Sequence, residues 1–204
     1  MITLHEWPPT RSQRARWVLE ELGTDYIRNP VDLATGAQDT EAHRALQPLG
    51  AVPAVQTSSF DMFESVAIVM QMIDCHPATG LAPAVGTPAR AAYYQWCVFG
   101  AAELDPAVMT WFDNTMRPTE HGSRRDTGAA DRGRQRYGER AAILSTLLAD
   151  QDHMLADGFS GADIVIGHSC FMAETTGLIG DFPVLQVYHD RLKQRPAYQR
   201  AYKF

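Results

Sequence analysis

Cysteine is scarce in this chain. Its three copies, Cys75, Cys97 and Cys170, stand far apart, odd in number and outside any C-x-x-C spacing. A disulfide framework and a zinc ribbon are thereby excluded, and Cys97 and Cys170 read as small buried hydrophobes. The histidines are equally scattered, with no H-E-x-x-H or comparable ligand spacing, so no metal is expected. Long apolar runs are missing too: no stretch approaches the roughly 20 residues of a membrane span, and no membrane association is expected. Nor is there an excess of positive charge. A formal net charge of −6 argues against nucleic acid as a partner held by overall charge. Arg124, Arg125, Arg132, Arg134, Arg136 and Arg140 form a basic run, but Asp126, Asp131 and Glu139 are interleaved, the pattern of a solvated helix face. The opening residues, Met1-Ile2-Thr3-Leu4-His5-Glu6, lack a basic-then-apolar leader signature. A reducing, cytoplasmic location is expected.

What is present is ordinary for a globular protein. A hydrophobic fraction of 45% over 204 residues is enough for a sizeable core, in one large domain or two small ones. Residues 2–5 read as a strand that stops at Trp7-Pro8-Pro9. Ala15, Val18, Leu19 and Leu22 then recur with a 3.6-residue period, placing Arg14, Arg16, Glu20 and Glu21 on the wet face and Gly23 just past the C-cap. A second strand is expected over 26–31, loop over 33–38 and a short helix over 41–46. Residues 52–56 and 60–63 form an antiparallel hairpin around Thr57-Ser58-Ser59, and a helix begins at Ser65 with Ile68, Val69, Met72 and Ile73 on one face.

The pattern changes at a Pro- and Gly-rich stretch, 79–88, which reads as a linker. Beyond it every segment is helical. One long stretch covers 89–116 with a kink or break at Asp105-Pro106. A polar loop, 118–128, precedes a helix over 129–153 that turns Ile143, Leu144, Leu147 and Leu148 inward. Ser160 and Asp163 form a capping box, with Phe159 and Ile164 as its hydrophobic staple. Helices over 161–177 and 183–195 finish the chain before Pro196. The expected partition is an α/β domain, 1–78, a linker, 79–88, and an all-helical domain, 89–204.

The stretch Gly50-Ala51-Val52-Pro53-Ala54-Val55, followed by Phe63-Glu64-Ser65, carries the chemistry. Val52 offers backbone N–H and C=O to a peptide lying alongside, next to a proline of the kind often cis in a tight bend. Ser65 opens a helix whose first N–H groups have no intrahelical partner and attract an anion. Together they suit a small acidic peptide.

Four stretches in order, Thr10-Arg11-Ser12-Gln13-Arg14-Ala15-Arg16-Trp17-Val18-Leu19-Glu20-Glu21-Leu22-Gly23, Pro48-Leu49-Gly50-Ala51-Val52-Pro53, Glu64-Ser65-Val66-Ala67-Ile68 and Phe159-Ser160-Gly161-Ala162-Asp163-Ile164, resemble the cytosolic glutathione S-transferase superfamily over essentially the full length. The resemblance implies a thioredoxin-like N-terminal domain, an all-helical C-terminal domain and a homodimer. It implies glutathione as co-substrate, with Val52 pairing antiparallel to its cysteinyl residue, Pro53 cis, and Glu64 and Ser65 holding the γ-glutamyl end. It implies a second substrate, a small apolar electrophile, between the domains, where Met109, Trp111, Phe112 and Met116 either line a pocket or belong to ordinary helical core.

The reaction needs a thiolate. A free thiol of pKa ~8.5 is only about 3% ionised at pH 7, and lowering that pKa by about two is worth about 2.7 kcal/mol. A hydroxyl at the first helix's N-terminus supplies such a shift. The loop Trp7-Pro8-Pro9-Thr10-Arg11-Ser12 holds no Tyr and no Cys, which argues against thiol–disulfide exchange. Thr10 and Ser12 remain as activators, unless Ser12 only caps the helix and Thr10 only shapes the loop; Arg11 either adds positive potential or faces solvent. Many relatives carry lysine where this chain has Ala51, so a contact to the glycyl carboxylate is lost or comes from Arg44 or His43. The leading expectation is a glutathione transferase serving detoxification. Two alternatives are a non-catalytic glutathione-binding or protein-interaction module, stress-response or translation-associated, and a glutathione-dependent peroxidase.

Overall fold

Four strands form one mixed sheet in the order β2-β1-β3-β4. β1 (Ile2–Glu6) runs parallel to β2 (Tyr26–Pro30) and antiparallel to β3 (Ala54–Gln56), which pairs antiparallel with β4 (Asp61–Phe63). α1 (Ser12–Leu22) supplies the β1-to-β2 crossover and packs on α3 (Ser65–Asp74), while α2 is the short helix Glu41–Leu46. Trp17, Val18, Leu19, Leu4, Val55, Ile68 and Val69 are fully buried and make this core. The computed structural model describes residues 1–117 and 125–204. Most of the polar loop expected over 118–128, with Arg124, lies outside the described residues.

The chain divides into two compact units, Met1–Ala82 with Lys193–Phe204, and Pro83–Leu192. The end of the chain, assigned by sequence to the helical domain 89–204, thus packs with the α/β unit. It carries a helix that sequence reading missed, α9 (Pro196–Ala201). Pro196 opens this helix and does not end the helical run, because proline suits the first turn, where its missing N–H costs nothing.

α9 also overturns the expected wet face of α1. Arg14 and Arg16 are buried, at 1% and 7% exposure. Arg14 sits four residues before the core residue Val18, close enough in helical angle to share its stripe. Arg16 donates to the backbone carbonyl of Lys203 at 3.1 Å. Arg195 grips Glu21 with two hydrogen bonds of 2.7 and 2.8 Å, and Arg200 pairs with Glu20. Tyr198 meets Trp17 edge-on at 4.9 Å. A period read along eleven residues cannot register a partner about 180 positions away.

The second unit is helical throughout its described residues apart from loops. α4 (Pro88–Phe99) passes through a π-helical stretch, Gly100–Leu104, into α5 (Asp105–Thr115). The irregularity expected at Asp105-Pro106 is therefore a wider turn over the five residues before it, after which the α-helix resumes. α6 (Thr127–Leu148) packs along α5 so closely that a Cβ on Gly133 would lie 2.7 Å from the Trp111 backbone nitrogen. Ile143, expected inward, is exposed, whereas Leu144 and Leu148 are buried. α7 (Gly161–Thr175) is buried from residue 161 to 170 and opens on the capping box: Asp163 Oδ2 accepts from Ser160 N at 2.8 Å. Its other oxygen accepts from Met154 N at 2.8 Å and from the Tyr188 hydroxyl at 3.0 Å. α8 (Pro183–Lys193) closes the unit.

Candidate functional site

Strand register brings three distant stretches to one end of the sheet. His5 pairs with Ala54, and Ala54 with Phe63. The loop 7–11 therefore leaves β1 where Val52-Pro53 enters β3 and where Glu64-Ser65 leaves β4.

The first stretch is built around two hydroxyls. Thr10 Oγ1 donates to the Trp7 carbonyl at 2.5 Å and lies 2.7 Å from Ser12 Oγ. Ser12 Oγ accepts from Trp7 N at 3.2 Å and reaches the Trp7 carbonyl at 3.1 Å, so it clasps the loop and does not cap α1. Gln13, fully buried, accepts the Thr10 N–H at 2.7 Å and ties the loop to the first turn of α1. Ser12 is fully buried, whereas Thr10 is half-exposed. Arg11 occupies the N-cap position of α1 with its side chain in solvent.

The second stretch is an open backbone edge. The ladder of β3 begins at Ala54, two residues later than expected, leaving Val52 half-exposed in front of a buried Pro53. The Val52-Pro53 peptide is cis. The preceding turn is stitched to α2: Arg44 donates to the Pro48 carbonyl at 2.9 Å, and His43 Nε2 to the Ala51 carbonyl at 2.7 Å. Gly50, at φ +61°, sits where a Cβ would lie 2.8 Å from the Arg44 guanidinium. Arg44 also pairs with Asp39 at 2.5 Å. Both groups that sequence offered in place of a lysine at Ala51 are thus engaged within the protein.

The third stretch is the tip of α3. Glu64 holds φ +73°, the only non-glycine at positive φ among the described residues, a backbone strain of the kind that gathers at ligand clamps. It is exposed, while Ser65 behind it is buried. Arg14 Nη1 donates to Ser65 Oγ at 3.4 Å, setting a buried cation beside the positive end of the helix. Sequence reading missed Arg14; the available signal was its place four residues before Val18.

Of the four residues named for a second substrate, Met109, Trp111 and Phe112 lie on α5 and are half-buried, whereas Met116 follows its end and is exposed; the core of α5 is Ala107 and Val108. Met109 and Phe112 share a face, but Trp111 lies about 200° round the helix from Met109. Its indole donates to the Thr176 carbonyl at 3.2 Å, under the Arg134 guanidinium at 5.9 Å.

Residues 1–70 match the family model for the glutathione S-transferase N-terminal domain. Over 195 residues the chain is 26% identical to glutathione S-transferase 3 of Zea mays, covering 92% of this chain and 86% of that protein. It superposes with a TM-score of 0.84 on a sphingomonad glutathione S-transferase solved with glutathione, at 28% identity and 98% and 96% coverage. Residues 1–70 belong to that N-terminal-domain family, and the chain as a whole is similar to glutathione S-transferases. It also overlays on glutathione transferase F7 of Populus trichocarpa with a TM-score of 0.88, at 20% identity and complete coverage of both chains, a likeness of fold alone. Among its described residues no cluster of three or more His, Cys, Asp or Glu is placed to hold a metal, and no helix is long and apolar enough to cross a membrane.

Proposed function

We propose that this protein docks glutathione at that end of the sheet and transfers its thiolate to a small apolar electrophile. The observation that carries the reading is the convergence, by strand register, of the Thr10 hydroxyl, the Val52 edge and the Ser65 helix tip. The tripeptide backbone pairs with Val52 beside Pro53. Its γ-glutamyl carboxylate rests over the first N–H groups of α3, with Ser65 and Glu64 at the head and the Arg14 charge behind.

Thr10 is the activator. Both hydroxyls reach the Trp7 carbonyl, and only Thr10 is accessible. With the Ser12 proton on that carbonyl and the Ser12 N–H donated to Thr10 Oγ1 at 3.2 Å, the Thr10 proton is free to swing to the ligand sulfur. The thiolate then attacks the electrophilic carbon, forming a C–S bond as a halide leaves or an epoxide opens. Met109 and Phe112, which share a face of α5, are the residues the family resemblance names for that partner. Arg11, exposed at the loop, adds positive potential. A homodimer in the cytoplasm belongs to the same proposal and is supported by the family resemblance.

One observation favours the non-catalytic module: Ala51 brings no cation and Arg44 and His43 are engaged elsewhere, which lowers affinity for the glycyl carboxylate. Calorimetry with glutathione separates the readings. Binding in the micromolar to low-millimolar range, with turnover of at least one aryl halide, epoxide or enone, is the expected result. Binding without turnover favours the module; turnover of peroxides alone favours the peroxidase. No binding at several millimolar removes the proposal.

A further inference from the structure

His43 is buried, lies on α2 and takes no part in the sheet, yet its Nε2–H bonds the Ala51 carbonyl at 2.7 Å. The peptide unit it grips joins Ala51 to Val52. That unit is trans, the cis bonds among the described residues being Pro8-Pro9 and Val52-Pro53. A trans peptide is a rigid plane whose C=O and N–H point in opposite directions. Pulling the Ala51 carbonyl toward α2 therefore aims the Val52 N–H the other way, out along the edge offered to a peptide. Without that bond the plane is free to turn about the two single bonds that flank it, Cα–C of Ala51 and N–Cα of Val52.

We infer that His43 is the positioning residue for peptide docking: through the Ala51 carbonyl it sets the direction of the Val52 N–H that receives the cysteinyl carbonyl of glutathione. The inference rests on the glutathione reading above. It gives His43 a different task from the one the missing lysine invites, since an imidazole buried and bonded to backbone is not placed to meet a carboxylate.

The test compares glutathione with γ-glutamylcysteamine, which keeps the γ-glutamyl head and the thiol but lacks the cysteinyl carbonyl. Binding of each is measured by calorimetry to the wild-type protein, His43→Phe and His43→Gln. Because one neutral hydrogen bond is misdirected, His43→Phe is expected to weaken glutathione binding about three- to tenfold. γ-Glutamylcysteamine binding is expected to be unchanged, and His43→Gln, with an N–H of similar reach, to restore most of the loss. The pKa of the bound thiol, read from its ultraviolet thiolate band, is expected to hold in every variant. Equal weakening for both ligands would show a merely structural role and overturn the inference, as would no change for glutathione. Failure of the wild-type protein to bind glutathione at all would instead overturn the functional proposal itself. If the phenyl ring is not accommodated, His43→Leu, smaller than imidazole, carries the same comparison.

Discussion

Thr10 Oγ1 and Ser12 Oγ lie 2.7 Å apart and share the Trp7 carbonyl, yet Ser12 is sealed from solvent and Thr10 is not. In the proposed reading the pair divides its labour: Ser12 fixes the loop and Thr10 meets the glutathione sulfur. Thr10→Val keeps the shape and removes the proton. It is expected to raise the pKa of bound glutathione toward that of the free thiol and to cut turnover near neutral pH about ten- to a hundredfold, as the thiolate fraction falls. Ser12→Ala is expected to cost about 1 kcal/mol of stability while leaving the bound thiol's pKa nearly in place. The reverse assignment would be established if Ser12→Ala alone moved the thiolate band.

The loop chemistry, the open edge at Val52 and the helix tip at Ser65 were all legible in sequence, because each is a local pattern a few residues long. The helix over 41–46 and the capping box at Ser160 and Asp163 were legible for the same reason. What brings the site together was not. The pairing of His5 with Ala54 joins segments about 50 residues apart, whereas that of Ala54 with Phe63 belongs to the hairpin read from sequence. The burial of Arg14 and Arg16 depends on α3 and α9, and the roles of Gln13 and His43 on single hydrogen bonds to backbone. Sequence marked the groups proposed to face the ligand and missed the groups packed and hydrogen-bonded behind them.

The ion pair between Arg195 and Glu21 joins the end of the chain to the helix that carries the thiol loop. Glu21 is 9% exposed and also accepts the Trp17 indole N–H at 2.9 Å. Arg195→Ala is expected to destabilise the protein by about 1 kcal/mol, the bidentate geometry raising it above an ordinary surface pair. A double-mutant cycle with Glu21→Gln, followed by urea unfolding, should show coupling between the two. Additive effects would mean that α9 is held by its other contacts, Tyr198 against Trp17, Arg200 with Glu20 and Arg16 with the Lys203 carbonyl.

Gly133 and Gly138 occupy the same helix and answer alanine in opposite ways. A Cβ at Gly133 would meet the Trp111 backbone nitrogen at 2.7 Å and the Ala107 carbonyl at 3.1 Å, neither of which can step aside. Gly133→Ala should cost about 1–3 kcal/mol by overpacking. At Gly138 the nearest atom is Phe182 Cζ at 3.7 Å, an ordinary contact, so Gly138→Ala should gain up to about 1 kcal/mol from helix propensity. Thermal melts of the two variants check both signs at once.

His5 ties stability to pH near neutrality. Its ring sits between β2 and β3, with Nδ1 2.9 Å from Asn29 Nδ2 and Nε2 3.3 Å from Gln56 Oε1. Burial lowers its pKa below the usual histidine value; the Gln56 hydrogen bond opposes that, the nearby His43 adds to it, and Asp61 opposes it weakly. The folded protein therefore binds fewer protons than the unfolded chain wherever pH lies between the lowered value and about 6.5. In that window stability rises with pH. The contribution is complete above about pH 6.5 and is lost progressively on acidification, until the folded-state pKa is reached. The urea midpoint is accordingly expected to fall between pH 7.5 and pH 5.5, before most carboxylates titrate. His5→Asn removes the titrating group, so its midpoint should fall less over the same interval, whatever its absolute stability. Equal slopes in the two proteins would mean that the imidazole is accommodated charged, with the Asn29 amide turned to accept from it.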